Sequence, residues 1–424
     1  MAVILLVTHG TAGDVLPFVR IGSALAGRGH DVSLLTHAPY AERVRGAGLE
    51  FVPIDTESAY RDGQARSAEL LSVRGPADLR RYYDQLGLFA ALRGEIASLR
   101  TRHRPGRTVL VGRHTSALSV LIAAEALGAP AVTVAVAPIQ LLVAPVAALH
   151  LARGLADGID AVRTENGLPP RTDWLRWLGS GARTLGLWPP WFDAAGTPAP
   201  AGVDLVGFVT GDDTGDGTGG RVPAEVVALL AEKPAPILVT GGTGAMLHPR
   251  FYPAALDAIS ATGRSAVVVA PDRSLLPERL PSRTRWYPRL PFPTLMPQFG
   301  ALLHHGGIGT AVRALRSGTP QVILAHGADR PDNAERLAAH RLARWMDVDR
   351  WTPGVVAGQL TEALADHEYA ARARTVSAED PGASSEAAAR LIESASTRPA
   401  GRPPASARSL TPEQRRLLLR RLRG

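Results

Sequence analysis

The run Leu303-His304-His305-Gly306-Gly307-Ile308-Gly309-Thr310 concentrates more chemically capable groups than any other stretch of the 424-residue chain. A short apolar run ends in two imidazoles, three glycines allow a tight turn, and a helical pattern then begins. Glycine lets the backbone approach a phosphate oxygen closely, and the first turn of a helix adds free N–H groups and partial positive charge. A diphosphate placed there would meet backbone donors and an imidazole. A glycine turn with a coincidental histidine pair is the plainer alternative. A two-histidine metal site is disfavoured because adjacent residues on an extended strand face opposite ways, and no metal is expected.

Two further glycine-rich loops, Thr8–Asp14 and Thr240–Gly244, also follow short apolar runs. Neither keeps the G-x-G-x-x-G register. After the second strand, Thr36, His37 and Ala38 stand where an acidic ribose partner would be needed, which disfavours nicotinamide chemistry. Asp14 stands just before a helical pattern, where a carboxylate serves as a helix cap.

Composition removes other chemistries. There is no cysteine, hence no disulfide, thiol catalysis or cysteine-held metal. Lys233 is the one lysine and follows no glycine loop, which rules out a phosphate-binding P-loop. The net charge of +8 is therefore arginine, scattered and without a recognition motif, so no nucleic-acid partner is expected. MAVILLVTHG carries no basic leader and reads as a buried strand. The charge-free stretch 126–149 is long enough to raise a membrane question. Its prolines and a β-branched patch at Val132–Val136 suggest a strand entering an apolar pocket instead. No transmembrane segment and a cytoplasmic location are expected.

The elements that must position these loops alternate. Strand Val3–Val7, the first loop, a helix over Pro17–Arg28 closed by Gly29, and strand Val32–Leu35 make a βαβ unit. Strand Thr108–Val111, helix Ala117–Ala126 and strand Ala131–Val136 continue it, around a polar, arginine-rich 56–104 of uncertain helices. GDDTGDGTGG (211–220) has no apolar side chain and reads as a linker. The alternation then restarts at Ile237–Val239, Phe251–Ala261, Ala266–Val269, Ala301–Leu303, Thr310–Arg316 and Val322–Leu324. Four segments are expected: an N-terminal α/β domain (1–210), a linker (211–221), a second α/β domain (222–396) and a Pro/Arg-rich tail (397–424). The tail holds a short basic helix after Thr411-Pro412-Glu413-Gln414, with an unidentified partner.

These residues carry a resemblance. Trp286-Tyr287-Pro288, His305-Gly306-Gly307, Gly318-Thr319-Pro320 and Asp329-Arg330 occur in the order of the donor-binding signature of family 1 glycosyltransferases. HHGGIGTAVRALRSGTPQVILAHGADRPDNAERL is similar to bacterial enzymes that glycosylate antibiotics, lipids and sterols. GTAGDVLPFVRIGSALAGRGHDVSLLT is similar to the family's opening. The resemblance spans nearly the whole chain to about residue 396. It implies an α/β, GT-B fold, with two Rossmann-like domains whose parallel sheets face across a cleft.

It also implies roles. Trp286 would stack on the nucleobase. His305 would bind a phosphate oxygen, with Gly306 shaping the turn and N–H groups of Gly307, Gly309 and Thr310 around the diphosphate. Thr243 would add a hydroxyl, and Asp329 would accept from sugar hydroxyls. Arg330 stands where glutamine is usual, so it either favours an acidic or unusual sugar or turns away. Arg313 replaces a ribose-binding glutamate, which leaves the nucleotide open between UDP and dTDP. Asp14 would be the general base, with His9 in reserve. Family members with a histidine base orient it with an aspartate after the fourth strand, but Val111-Gly112-Arg113-His114 holds none. Acceptor walls are expected from Tyr83, Phe89, His114, Pro138 and Leu141, suggesting a lipophilic molecule.

The expected function is therefore an inverting glycosyltransferase with an NDP-sugar as co-substrate, a small-molecule acceptor and no cofactor. A sugar-nucleotide epimerase shares the architecture. A non-catalytic, glycosyltransferase-like helper is the third possibility.

Overall fold

The structure, a computed structural model, describes residues 1–211, 222–244, 246–377 and 381–395. The expected linker beyond Gly211 and the 397–424 tail lie outside the described residues.

In the N-terminal unit seven parallel strands run β1 (Val3–Val7), β2 (Asp31–Thr36), β3 (Glu50–Pro53), β4 (Thr108–Arg113), β5 (Ala131–Ala135), β6 (Arg183–Gly186) and β7 (Val203–Leu205). Their spatial order is β3-β2-β1-β4-β5-β6-β7. Every residue of VILLV is buried, because helices cover both faces of the sheet. Side chains alternate along the strand: Val3, Leu5 and Val7 enter one core cluster, and Ile4 and Leu6 the other. β1 lies between β2 and β4, with Val7 opposite Leu35 on one side and Gly112 on the other.

In the second unit six parallel strands run β8 (Ile237–Thr240), β9 (Ala266–Val269), β10 (Thr284–Tyr287), β11 (Ala301–His304), β12 (Gln321–Leu324) and β13 (Arg344–Met346). Their order is β10-β9-β8-β11-β12-β13. The alternation repeats, with Ile237 and Val239 in one cluster and Leu238 in the other.

In both sheets the strand order reverses beside the first strand, between β1 and β4 and between β8 and β11. Such switch points leave a crevice at the carboxyl ends of the strands, where open α/β sheets bind ligands. All three glycine-rich loops emerge at these points.

Three expectations are corrected. The first helix begins at Ala12, with Pro17 inside it, so Asp14 is its third residue and Thr11 takes the cap position. The 56–104 segment holds well-formed helices Glu57–Arg66, Pro76–Gln85 and Leu88–Arg102. Helix Pro381–Ala395 packs with the N-terminal unit, outside the second domain to which 222–396 was assigned. Ala388, Ala389, Ile392 and Ala395 complete the core cluster around the first helix. At its rim Arg28 clamps Glu393 with two hydrogen bonds of 2.7 and 2.6 Å. Conversely, Trp191–Gly196 joins the second unit. Arg336, almost wholly buried, holds it by donating to the carbonyls of Phe192 (3.0 Å) and Asp193 (2.7 Å) and to the Asp332 carboxylate (2.8 Å).

Candidate active site

The turn after β11 is built around two histidines with separate tasks. His304 is fully buried; its Nδ1 accepts from the Gly306 N–H (3.2 Å) and its Nε2–H donates to Gln321 (2.9 Å). Gln321 in turn donates to the Leu342 carbonyl and the Tyr369 hydroxyl. Burial pushes the His304 pKa down to about 4, so it stays neutral and fixes the turn. His305 points elsewhere, its ring centroid 6.3 Å from that of His304 and nearly perpendicular to it.

The His305 imidazole lies in a slot walled by glycines. A Cβ on Gly242 would sit 2.5 Å from its Cε1, and one on Gly307 would sit 2.5 Å from its Nε2. Gly242 also has a φ of +75°, which an L side chain rarely adopts. The loops after β8 and β11 are thus fitted to one ring. Burial first, then the charges of Arg330 and His304, hold the His305 pKa well below its ordinary value, against a backbone hydrogen bond with Thr240. The neutral ring keeps one donor and one acceptor, and Nδ1 has no partner among the described residues.

Helix Ile308–Ser317 starts at Gly307. The Thr310 N–H, expected to face a diphosphate, donates back to the Gly307 carbonyl at 3.1 Å. Its hydroxyl remains a candidate donor, as does the Gly309 N–H. Thr243 is exposed at the tip of the β8 loop. Trp286, on β10, is half-buried, and its indole N–H donates to the Ala270 carbonyl (3.0 Å), which fixes the ring. Asp329 opens helix Arg330–Ala339 and accepts from the Asn333 amide at 2.8 Å. Asn333, which the sequence did not single out, also donates to the Gly306 carbonyl at 3.2 Å. Arg330 does not turn to solvent: it is 8% exposed and donates to the His326 carbonyl at 3.2 Å.

At the other switch point Asp14 takes hydrogen bonds on both carboxylate oxygens. The Thr11 N–H donates to Oδ2 (3.0 Å), and Arg113, at the end of β4, pairs with Oδ1. Arg113 thus occupies the place after the fourth strand where an aspartate was sought. The loop between is tied down through Gly10. Its N–H donates to His37 Nε2 (2.8 Å), and His37 Nδ1–H donates to Asp55 (2.6 Å).

His9 forms a second pair. Its Nε2–H donates to Glu95 at 2.7 Å, and the Ser119 hydroxyl donates to the other Glu95 oxygen. Glu95 is only 4% exposed. Burial acts to raise its pKa, but the charge and hydrogen bond of His9, with Ser119, outweigh this and hold it below the ordinary range. Neither Glu95 nor Ser119 belongs to a local motif: helix Leu88–Arg102 brings the carboxylate back 86 residues along the chain.

The expected acceptor walls divide. Tyr83 lies within electrostatic reach of Arg113, and burial raises its pKa. His114 is buried beside Arg113, its pKa lowered to about 4 by burial. Pro138 and Leu141 are buried on the short helix after β5. Phe89 is spent on packing: it lies against Gly158, with the Arg80 guanidinium 4.9 Å above its ring.

Two six- or seven-stranded parallel sheets of this order, each with loops gathered at its switch point, define a GT-B glycosyltransferase. Solved structures agree on the fold. The calicheamicin glycosyltransferase CalG4 matches with a TM-score of 0.67 at 21% identity, over 94% of this chain and 99% of that one. The glycosyltransferase VinC in complex with dTDP matches with a TM-score of 0.64 at 20% identity, over 93% and 100%. Residues 4–138 match the glycosyltransferase family 28 N-terminal domain, and 254–394 the erythromycin biosynthesis protein CIII-like C-terminal domain. The O-mycaminosyltylonolide 6-deoxyallosyltransferase of Streptomyces fradiae is 30% identical over 413 residues, 88% of this chain and 92% of that enzyme. The chain belongs to this family of antibiotic glycosyltransferases and is an NDP-sugar-dependent glycosyltransferase. Among the described residues, no helix is long and apolar enough to cross a membrane.

Proposed function

We propose that the enzyme transfers a sugar, with inversion, from an NDP-sugar to a hydroxyl of a small lipophilic acceptor. The donor diphosphate lies on the turn after β11, against His305, Gly307, Gly309 and the Thr310 hydroxyl. Trp286 carries the base, Asp329 accepts from sugar hydroxyls, and Thr243 donates to the diphosphate. No further cofactor is needed. dTDP is the first nucleotide to test, because VinC was crystallised with it, and UDP is the second.

Asp14 is the general base. The acceptor oxygen attacks the anomeric carbon as the bond to the phosphate oxygen breaks. The acceptor proton passes to the Asp14 carboxylate, and the nucleoside diphosphate leaves with the electron pair. A carboxylate is a weak base toward a resting alcohol, but the hydroxyl acidifies as its C–O bond forms. What carries this reading is the placement of Asp14 at the β1–β4 switch point, oriented by Arg113 and the Thr11 N–H. Tyr83, His114, Pro138 and Leu141 are the acceptor-side candidates.

One observation favours a second base. His9 is held at Nε2 by the buried Glu95 carboxylate, the arrangement in which a carboxylate orients a histidine base. Asp14→Asn and His9→Ala separate the two in initial-rate assays with calorimetric nucleotide binding as control. The first reading expects Asp14→Asn to lower kcat by about 10²–10⁴ with nucleotide affinity unchanged. Near-normal turnover in Asp14→Asn with collapse in His9→Ala would transfer the role to His9.

A further inference from the structure

The donor half-site contains a guanidinium that the protein leaves nearly unsatisfied. Arg330 is more than nine-tenths buried, yet of its five N–H donors one meets a described protein acceptor, the His326 carbonyl at 3.2 Å. Among the described residues no carboxylate closes an ion pair on it; Asp329 acts only at longer range. A cation this far buried and without a carboxylate partner favours an anionic ligand. The base of the Arg330 side chain packs against the glycine turn after β11. A Cβ on Gly306 would come within 3.2 Å of the Arg330 Cβ and carbonyl. Its charge is the second influence, after burial, holding His305 neutral, and it acts on His326 as well.

We propose that Arg330 binds the donor's diphosphate and stabilises the negative charge that grows on it as the sugar leaves. This rests on the donor-site reading above. When the bond from the anomeric carbon to the phosphate oxygen breaks, its electron pair stays on that oxygen. Neutral His305 can offer one hydrogen bond but no charge, whereas a guanidinium offers both, with a fork that matches two phosphate oxygens. A carboxylate-bearing sugar is the rival occupant. It is disfavoured because Asp329, the neighbouring residue, would set a second carboxylate beside the first.

The test compares nucleoside diphosphates with monophosphates (UDP and dTDP against UMP and dTMP) by calorimetry, so no acceptor need be known. Arg330→Gln keeps a planar amide and removes the charge. It is expected to weaken diphosphate binding about 10- to 100-fold, the range for a hydrogen bond to a charged group, while leaving monophosphates within about twofold. Arg330→Lys, which keeps the charge but loses the fork, is expected to show a smaller selective loss, and it carries the test if Arg330→Gln does not fold. Equal losses for both nucleotide classes, or none, would overturn the proposal. So would a loss confined to uronate donors with diphosphate affinity intact. If the wild type binds none of the four nucleotides, the donor-site reading falls, and this proposal with it.

Discussion

Gly307→Ala puts the glycine-walled slot to a quantitative test. Gly307 has a φ of −63°, so alanine is conformationally permitted there and the effect is steric. The new Cβ would lie 2.5 Å from His305 Nε2 and 3.0 Å from Cε1. Carbon contacts settle near 3.5–4.0 Å, so the ring must move by about 1 Å. It cannot retreat freely, because Gly242 closes on Cε1 from the other loop. Overpacking of this kind costs about 1–3 kcal/mol of stability. On the proposed donor pose, losing the imidazole's hydrogen bond to a phosphate oxygen should weaken binding by about 1.5–3 kcal/mol, or some 10- to 150-fold. The control is Gly358→Ala, inside helix Pro353–Leu364 and away from the turn, whose Cβ would meet nothing within 4 Å. There the change should raise stability by up to about 1 kcal/mol. Calorimetric titration with UDP and dTDP, alongside thermal melting, reads both quantities. Gly307→Ala binding like the wild type, or the two variants failing alike, would show that the slot does not set the position of His305.

Three further outcomes follow from contacts described above. His304→Ala should cost about 2–4 kcal/mol in urea unfolding, since it leaves the Gly306 N–H and Gln321 Oε1 buried without partners; a loss under about 0.5 kcal/mol would contradict its role in the turn. Arg336→Ala should cost about 3–5 kcal/mol, because the buried Asp332 carboxylate and the Phe192 and Asp193 carbonyls all lose the guanidinium; Asp332→Asn made alongside should recover part of that loss. Glu393, clamped by Arg28 against the opposing effect of burial and aided by His30, has its pKa lowered to about 2. A depressed carboxylate pKa stabilises above the ordinary value near 4.5 and ceases to as pH falls toward 2. The stability gap between wild type and Glu393→Gln should therefore be about 1–3 kcal/mol at pH 6, allowing for partial exposure, and shrink steadily between pH 5 and 2. A gap that stays constant over that range would mean that the clamp is not electrostatic.

The fold was legible where burial imposes a pattern. β1, β8 and β11 are apolar runs ending in glycine because they sit at the middle of covered parallel sheets, and their sequences say so. β6, β7 and β13 were not legible: edge-side strands of three or four residues such as Arg183–Gly186 and Arg344–Met346 carry charged side chains and no run to detect. Helix Pro381–Ala395 has a readable periodicity, but nothing local says which unit buries its alanines; that is settled by Arg28, some 365 residues away. The candidate site shows the same division. Residues tied to a glycine turn, such as His305, Gly307 and Asp14, announce themselves by context. Glu95, Arg113 and Asn333 do not, because their partners are brought by the sheet order rather than by spacing along the chain. Thr310 was mistaken in its backbone role for a related reason: whether an N–H is free depends on the pitch of the first helical turn, which composition does not fix.

The return of helix Pro381–Ala395 to the N-terminal unit has a practical corollary for anyone recombining enzymes of this family. A chimaera joined between residues 211 and 222 would exchange not two modules but one module and a fragment. The incoming half would bring its own 381–395 helix against a foreign first helix. Ala388, Ala389 and Ile392 would have to seal another parent's hydrophobic seam, and Glu393 would need an arginine at the position of Arg28. Donor swaps should therefore add a crossover near residue 380, to leave 381–395 with its first helix, and should carry Trp191–Gly196 along with the Arg336 that holds it.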